Sequence, residues 1–379
     1  MALLGGLSAA QFMRRHWQKR PLLIRQAIPG ITPPLTRAAL FELAAHDDVE
    51  SRLVRRSQAV RSPWSMRRGP FARRALPAIK ARDWTLLVQG VDLHHDGARA
   101  VLDLFRFLPD ARLDDLMISY ATPGGGVGPH FDSYDVFLLQ VQGTRRWRIG
   151  RQRDLSLQEG APLKILQNFA PQAEYDLQPG DMLYLPPRWA HDGLALDECM
   201  TCSIGFRAPS RAELQRELLV RLADQVEVDS PSGMRLYQDP RQSATTRAAE
   251  IPENLLLFSE QMVFDWIRNP TSLSLSLGEY LTEPKANTWF DPRPEAMNAV
   301  AWRALPAAAE LRLDRRSRMM FRGDHLFVNG ESFRLRGADA RILHDLANKR
   351  IMAVGGLRRL SSGAREALLD WINAGWLHV

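Results

Sequence analysis

Short apolar runs closed by glycine and proline punctuate the first 209 residues, as in Trp84-Thr-Leu-Leu-Val, Leu116-Met-Ile-Ser-Tyr, Asp135-Val-Phe-Leu-Leu-Gln-Val and Asp181-Met-Leu-Tyr-Leu. Runs of that length bounded by turn formers predict strands. Helical spacing appears before and between them, around Phe41 to Ala45 and Ala98 to Phe107. Many short strands joined by tight turns predict a double-sheet barrel of the jelly-roll or cupin type, a double-stranded β-helix.

After Arg207-Ala-Pro the period changes. Leu214, Leu218 and Leu222 recur at helical spacing, and Leu255, Phe258, Met262 and Trp266 do so again after a polar stretch. Asn287-Thr-Trp-Phe-Asp-Pro-Arg-Pro reads as a linker or strap. From Met319 the chain predicts a hairpin whose strands, ending at Val328 and starting at Glu331, flank the two-residue turn Asn329-Gly330. Helices are expected over Ala338 to Ala347 and Ala364 to Ile372, and this content fits a small winged helix. The expected organisation is α+β: a barrel domain over 1–209, a helical segment over 210–285 and a winged-helix-like domain over 286–379.

At 379 residues and 45% hydrophobic, the chain is long enough for a large core and more than one domain. No apolar run approaches the ~20 residues of a membrane span, and the first residues lack the basic region of a secretory signal. Two cysteines, Cys199 and Cys202, exclude a disulfide scaffold, and the expected location is the cytoplasm. The Cys199–Cys202 spacing could suggest a zinc or redox pair, but i and i+3 on a strand face opposite sides and no second pair completes four ligands. A net charge of +7, with arginines crowded between Arg52 and Arg82 and between Arg312 and Arg322, points to polyanionic neighbours or to a solvated basic surface. Acidic residues gather instead around one motif as Asp114, Asp115, Asp132 and Asp135, which would suit a cationic substrate.

That motif is Gly128-Pro-His-Phe-Asp, with His130 and Asp132 two apart on a segment expected to be a strand, so that both point to one face. His191 follows in Leu185-Pro-Pro-Arg-Trp-Ala-His-Asp-Gly. Each histidine alone is more often a hydrogen-bonded core residue. Two imidazoles and a carboxylate together form the ligand set that leaves half of an octahedral Fe(II) open for a cosubstrate and dioxygen. The glycine-rich loop Thr122-Pro-Gly-Gly-Gly-Val-Gly-Pro lets backbone and substrate approach closely. A metal site that binds a dicarboxylate also needs a fixed cation, and Arg145 is the candidate because strand alternation places it on the same face as Trp147. The competing reading of Arg145 is an ordinary basic edge strand.

Phe12-Met-x-x-His-Trp-x-Lys-Arg-Pro-Leu-Leu-Ile-Arg, Leu113-Asp-Asp-Leu-Met-Ile-Ser-Tyr, Pro123-Gly-Gly-Gly-Val-Gly-Pro-His-Phe-Asp and Pro179-Gly-Asp-Met-Leu-Tyr-Leu-Pro-Pro-x-Trp-x-His-x-Gly together resemble the bacterial JmjC-type ribosomal oxygenases. Those are cupin-like 2-oxoglutarate enzymes that hydroxylate an arginine of a large-subunit ribosomal protein. The resemblance covers most of the first 209 residues and implies Fe(II) on His130, Asp132 and His191, with 2-oxoglutarate and dioxygen as cosubstrates. It implies Arg145 on the distal carboxylate of 2-oxoglutarate. Thr201 falls where relatives often carry asparagine near the cosubstrate, a departure that leaves its role open. Asp115, Met117, Tyr134, Ser203 and Arg207 fall where the family lines its substrate pocket. The resemblance further implies a homodimer through the helical segment and a ribosomal-protein partner; contact with nucleic acid is compatible but not required, and the lack of a long apolar run leads us to expect no membrane partner.

Two other readings compete with an arginine hydroxylase. One is a metal-dependent cupin that acts on a small molecule without 2-oxoglutarate, which Arg145 and the extra domains weigh against. The other is a nucleic-acid-binding winged-helix regulator with an inactive barrel, which the intact ligand set weighs against.

Overall fold

The computed structural model describes residues 3–57, 63–225, 236–241, 243, 244, 247 and 249–379, without the side chain of Trp266. It divides into two compact units, one of residues 1–208 and 286–288, the other of 209–285 and 289–379.

The first unit runs α1 (Ala9–Arg15), β1 (Leu22–Ile24), α2 (Arg37–Leu43), β2 (Ser51–Arg56), β3 (Trp64–Arg68), β4 (Trp84–Val88), α3 (Asp96–Asp103), β5 (Leu113–Ala121), β6 (Val136–Gln142), β7 (Arg145–Gly150), β8 (Ala173–Leu177), β9 (Met182–Leu185), β10 (Ala190–Ala195) and β11 (Cys199–Phe206). Eight strands form one sheet in the order β1-β9-β6-β11-β5-β4-β2-β3, and β10-β7-β8 form a second. The non-sequential neighbours are those of a double-stranded β-helix, as the strand pattern predicts. Alternation along β11 sorts the two faces. Met200, Cys202, Ile204 and Phe206 belong to the outer core, which includes Phe12, Leu40 and Leu102 from the helical layer and Phe105 from the turn after α3. Thr201, Ser203 and Gly205 alternate with them and take the inner face. On that inner side, Val136, Leu138 and Leu183 of the large sheet pack with Trp147, Ile149 and Leu177 of the small one.

Asp135 does not contribute to an acidic mouth. It is fully buried, accepts 2.6 Å from the Tyr184 hydroxyl and 3.1 Å from Gln18 Nε2, and faces Arg112 at 3.5 Å. Burial, reinforced by the Asp135 carboxylate, pushes the Tyr184 hydroxyl strongly upward, so Tyr184 stays a donor. The two cysteines are free and buried on β11, and burial pushes the Cys202 thiol up to about 12.

The second unit contains α4 (Arg211–Asp224), α5 (Glu253–Arg268), α6 (Pro270–Thr282), α7 (Ala299–Ala304), β12 (Glu310–Leu313), β13 (Met319–Arg322), β14 (His325–Val328), β15 (Glu331–Arg334), α8 (Gly337–Lys349), β16 (Ile351–Ala353), α9 (Val354–Leu357), α10 (Ser362–Asn373) and β17 (Leu377–His378). Ser210 caps α4 in a capping box with Glu213, and Asn269 caps α6 ahead of Pro270 at its first position. Asn329 and Gly330 both have positive φ, 49° and 92°, and join β14 to β15 with Val328 opposite Glu331. That is the primed two-residue turn the Asn-Gly pair predicts. The stretch from Met319 to Val328 is not one strand, because Gly323 at φ 57° turns the chain and makes a three-stranded meander, β13-β14-β15. A small sheet, β16-β12-β17, completes the unit. Asp314, beside β12, is buried, yet hydrogen bonds from His378 and Arg316 outweigh that burial and hold its carboxyl well below the usual range. No helix among the described residues is long and apolar enough to cross a membrane.

Candidate active site

His130 and Asp132 do not lie on a regular strand. Only His130 pairs, in an isolated antiparallel bridge to His191 on β10. The bridge is closed by both bonds, His130 N to His191 O at 2.9 Å and His191 N to His130 O at 2.8 Å. The loop before it is held close to β10: a Cβ on Gly126 would stand 2.5 Å from Gly193 O, and one on Gly193 2.7 Å from the Trp147 ring. Neither position tolerates a side chain without movement, so these glycines let loop, β10 and indole stack.

The donor atoms of His130, Asp132 and His191 lie within 4.8 Å of one another. The Nδ1 atoms of the two imidazoles face backbone carbonyls, Gly128 O at 2.9 Å for His130 and Trp189 O at 3.0 Å for His191. Such contacts fix the Nδ1–H tautomer and leave Nε2 as the free lone pair, the arrangement common to metal-binding histidines. His191 Nε2 stands 3.6 Å from Asp132 Oδ2. Burial and then the neighbouring His130 push His191 down to about 4, so it is neutral near pH 7 and its lone pair is available. Among the described residues, this is the one cluster of its kind.

Arg145 opens β7 and is 4% exposed, with its guanidinium carbon 5.9 Å from the Trp147 ring centre. Nη1 donates to Ser119 Oγ at 2.9 Å. Nε and Nη2 are buried with no hydrogen-bond partner among the described residues. A buried cation with two unmet donors is expensive unless something anionic and planar meets it. Thr201, fully buried across the sheet from Ser119, donates 2.7 Å to Gln140 Oε1, and its carbonyl stands 3.5 Å from Ser119 Oγ. Thr201 therefore supports Ser119, which in turn holds Arg145.

The register also orders the inner face of β5 as Asp115, Met117, Ser119, with Met117 opposite Ser203 and Ser119 opposite Thr201 on β11. Asp115 accepts 2.8 Å from Gln89 Nε2 and 3.0 Å from Gly90 N. Asp115 and Tyr134 converge on Gly205, where an added Cβ would lie 3.6 Å from Asp115 Oδ1 and 3.9 Å from the Tyr134 ring. Although Tyr134 is exposed as a residue, partial desolvation of its hydroxyl, then the charges of Asp132, Asp115 and Asp114, push that hydroxyl upward and keep it protonated. Arg207 pairs instead with Asp114, at 3.6 Å.

Ser119, Gln140 and Gln89 were not among the residues expected from the sequence. Ser119 was reachable by extending the period of two from Asp115 and Met117, whereas Gln89 meets Asp115 through a pairing that no local pattern announces.

Residues 100–214 match the JmjC domain family and residues 262–378 the ROXA-like winged helix. The chain is 34% identical over 329 residues to the ribosomal protein uL16 3-hydroxylase of Escherichia coli K12, covering 86% of this chain and 85% of the relative. It is 37% identical over 207 residues, 54% of this chain and 50% of the relative, to a probable ribosomal oxygenase of Haemophilus influenzae. The X-ray structure of E. coli YcfD superposes with a TM-score of 0.87 at 30% identity over 98% of both chains. A YcfD ribosomal oxygenase structure in complex with cobalt and 2-oxoglutarate superposes with a TM-score of 0.83 at the same identity and coverage. With a barrel that gathers two histidines and an aspartate, a winged-helix module and relatives matched nearly end to end, this chain belongs to the bacterial JmjC-type ribosomal oxygenases.

Proposed function

We propose that this protein is an Fe(II)- and 2-oxoglutarate-dependent dioxygenase that hydroxylates an arginine side chain of a large-subunit ribosomal protein. The substrate of the E. coli relative, uL16, is the first candidate. The observation that carries this reading is Arg145: a buried guanidinium with two unmet donors, in the same barrel as a metal-competent His-Asp-His cluster. The donor set suits Fe(II), and the unmet Nε and Nη2 suit a carboxylate, so the residues present fit both groups. The complex of the relative with cobalt and 2-oxoglutarate supports the same pairing.

In this reading His130, Asp132 and His191 hold the metal, and Gly128 O and Trp189 O keep both imidazoles in the ligating tautomer. Arg145, steadied by Ser119 and beyond it Thr201 and Gln140, receives the distal carboxylate of 2-oxoglutarate. When bound, metal and cosubstrate supply the activation of dioxygen; the protein's part is to choose the C–H bond and exclude other donors. Asp115, pre-oriented by Gln89 and Gly90, accepts from the guanidinium of the substrate, while the protonated Tyr134 offers its ring face and hydroxyl. Met117 and Ser203 line the path between that mouth and Ser119, and Arg207 orders Asp114 beside it.

We also propose a homodimer through the helical segment, supported by Leu257, Val263 and Phe264 of α5, each about half exposed. A ribosomal substrate would be met in the cytoplasm, which supports that location for the protein. The test of function is peptide mapping of uL16 after incubation with the enzyme, Fe(II), 2-oxoglutarate and air: the account requires one added oxygen atom on one arginine.

A further inference from the structure

Ten of the chain's 50 basic residues, and none of its 43 acidic ones, fall within residues 51–82. The rest of the chain, with 40 basic residues against 43 acidic, is slightly acidic, so the net positive charge belongs to this segment. It contains β2 and β3, and β3 is the outermost strand of the large sheet. Arg55, Arg56, Arg67, Arg68, Arg73 and Arg74 are all exposed. None of the six forms an ion pair among the described residues, and Arg56, Arg67 and Arg73 lie over the rings of Trp64, Phe71 and Phe41 at 5.5, 5.6 and 5.1 Å.

Arg52 stands directly opposite Arg68 in the ladder, a like-charge pairing that costs stability in isolation. The same row of register partners runs inward through Leu87, Ser119 and Thr201 to Gln140. Arg52 and Arg68 therefore stand at the outer end of the sheet face that lines the proposed site, while Arg55 and Arg67 project from the opposite face of the same edge. No large apolar side chain of the segment is exposed among the described residues, which argues against a hydrophobic protein interface or an inserted lipid contact. Nine of the ten cations are arginines, which grip phosphate bidentately and stack on bases.

We propose that the exposed arginines of β2, β3 and the turn that follows β3 bind the phosphate backbone of structured RNA. The inference extends the proposed function, in that a ribosomal-protein substrate would be met on or beside its RNA.

The test is fluorescence anisotropy of a labelled RNA stem-loop with the full chain across a salt series. Binding should weaken steeply with salt, because each neutralised phosphate contributes a slope of about −0.7 to −0.9 in log–log form. The fourfold variant Arg55→Gln, Arg67→Gln, Arg68→Gln, Arg74→Gln should lose roughly 100-fold in affinity at low salt and about three units of slope. The same four changed to Lys should stay within roughly fivefold of the native chain, since the charge is kept. Hydroxylation of a free uL16 peptide by the Gln variant should be unchanged, which also shows that it folds; if it does not fold, the single variants Arg55→Gln and Arg74→Gln should each lower the slope by about one. RNA binding that is absent, or equal in the native and Gln chains, overturns the proposal, as does preferred binding of polyglutamate or phosphatidylglycerol vesicles. Loss of peptide hydroxylation in the native chain with RNA binding intact would instead overturn the proposed function and leave this inference standing.

Discussion

Ser119 Oγ accepts a 2.9 Å hydrogen bond from Arg145 Nη1, and that bond fixes one corner of a buried guanidinium whose Nε and Nη2 have no partner among the described residues. A cation so placed is stable only if an anion completes it, and a planar carboxylate matches the two free donors.

Arg145→Ala should therefore raise the 2-oxoglutarate requirement by an amount equivalent to about 2–5 kcal/mol while leaving metal affinity nearly intact. Arg145→Lys should recover part of the loss, a point charge replacing the fork. The check is 2-oxoglutarate titration of succinate production beside calorimetric metal binding. An unchanged requirement in the Ala variant would move the anchor elsewhere.

Asp115→Asn and Tyr134→Phe should weaken peptide hydroxylation more than uncoupled 2-oxoglutarate turnover, because in the proposed function both residues meet the substrate and neither belongs to the His-Asp-His cluster. Loss of a charge-assisted contact at Asp115 should cost about 1.5–3 kcal/mol in kcat/KM for an arginine peptide. The two yields are measured on the same samples, with a lysine peptide as control. Parallel loss of both yields would remove Asp115 and Tyr134 from the pocket.

Leu257→Asp with Val263→Asp should convert a two-chain species to one chain in sedimentation velocity, since both side chains are about half exposed on α5. A native chain that sediments as a monomer contradicts the dimer outright.

Asp314 supplies the pH dependence. Its folded pKa lies below the unfolded value, so the stability it contributes is present above about pH 4 and is lost as the pH falls through its folded pKa. His378→Ala should remove a 2.8 Å partner, destabilise the second unit by about 1 kcal/mol near neutrality and move its acid unfolding to higher pH. The figure is kept small because His378 is about half exposed. Thermal melts of both proteins from pH 3 to 7 decide it; superposable curves would show the pair to be idle.

Much of this was legible in the chain. Alternation predicts the inward Arg145 and Trp147, and Asn329-Gly330 predicts its turn, because in both cases the physics is local. The Asn269-Pro270 start of α6 is equally local, a cap followed by proline at the first helical position. The strand expected at His130 shrank to one bridge, since Pro129 and the glycines before it cannot sustain a ladder. Gly323 split a strand that looked continuous in hydrophobicity. The sheet β16-β12-β17 has strands of two to four residues, too short to show a period. Asp135 illustrates the deeper limit: nearby in sequence to Asp132, it faces the opposite core, and only the contact with Tyr184 reveals it.

The measurement that bears most directly on the central claim is mass spectrometry of uL16 peptides after incubation with the anaerobically purified protein, Fe(II), 2-oxoglutarate and then air. The account predicts one added oxygen on a single arginine, with succinate formed in equal amount, for the native chain, and neither product for His130→Ala, Asp132→Ala or His191→Ala. Hydroxylation that survives in all three variants, or a native chain that turns over no 2-oxoglutarate with any ribosomal peptide, would contradict it.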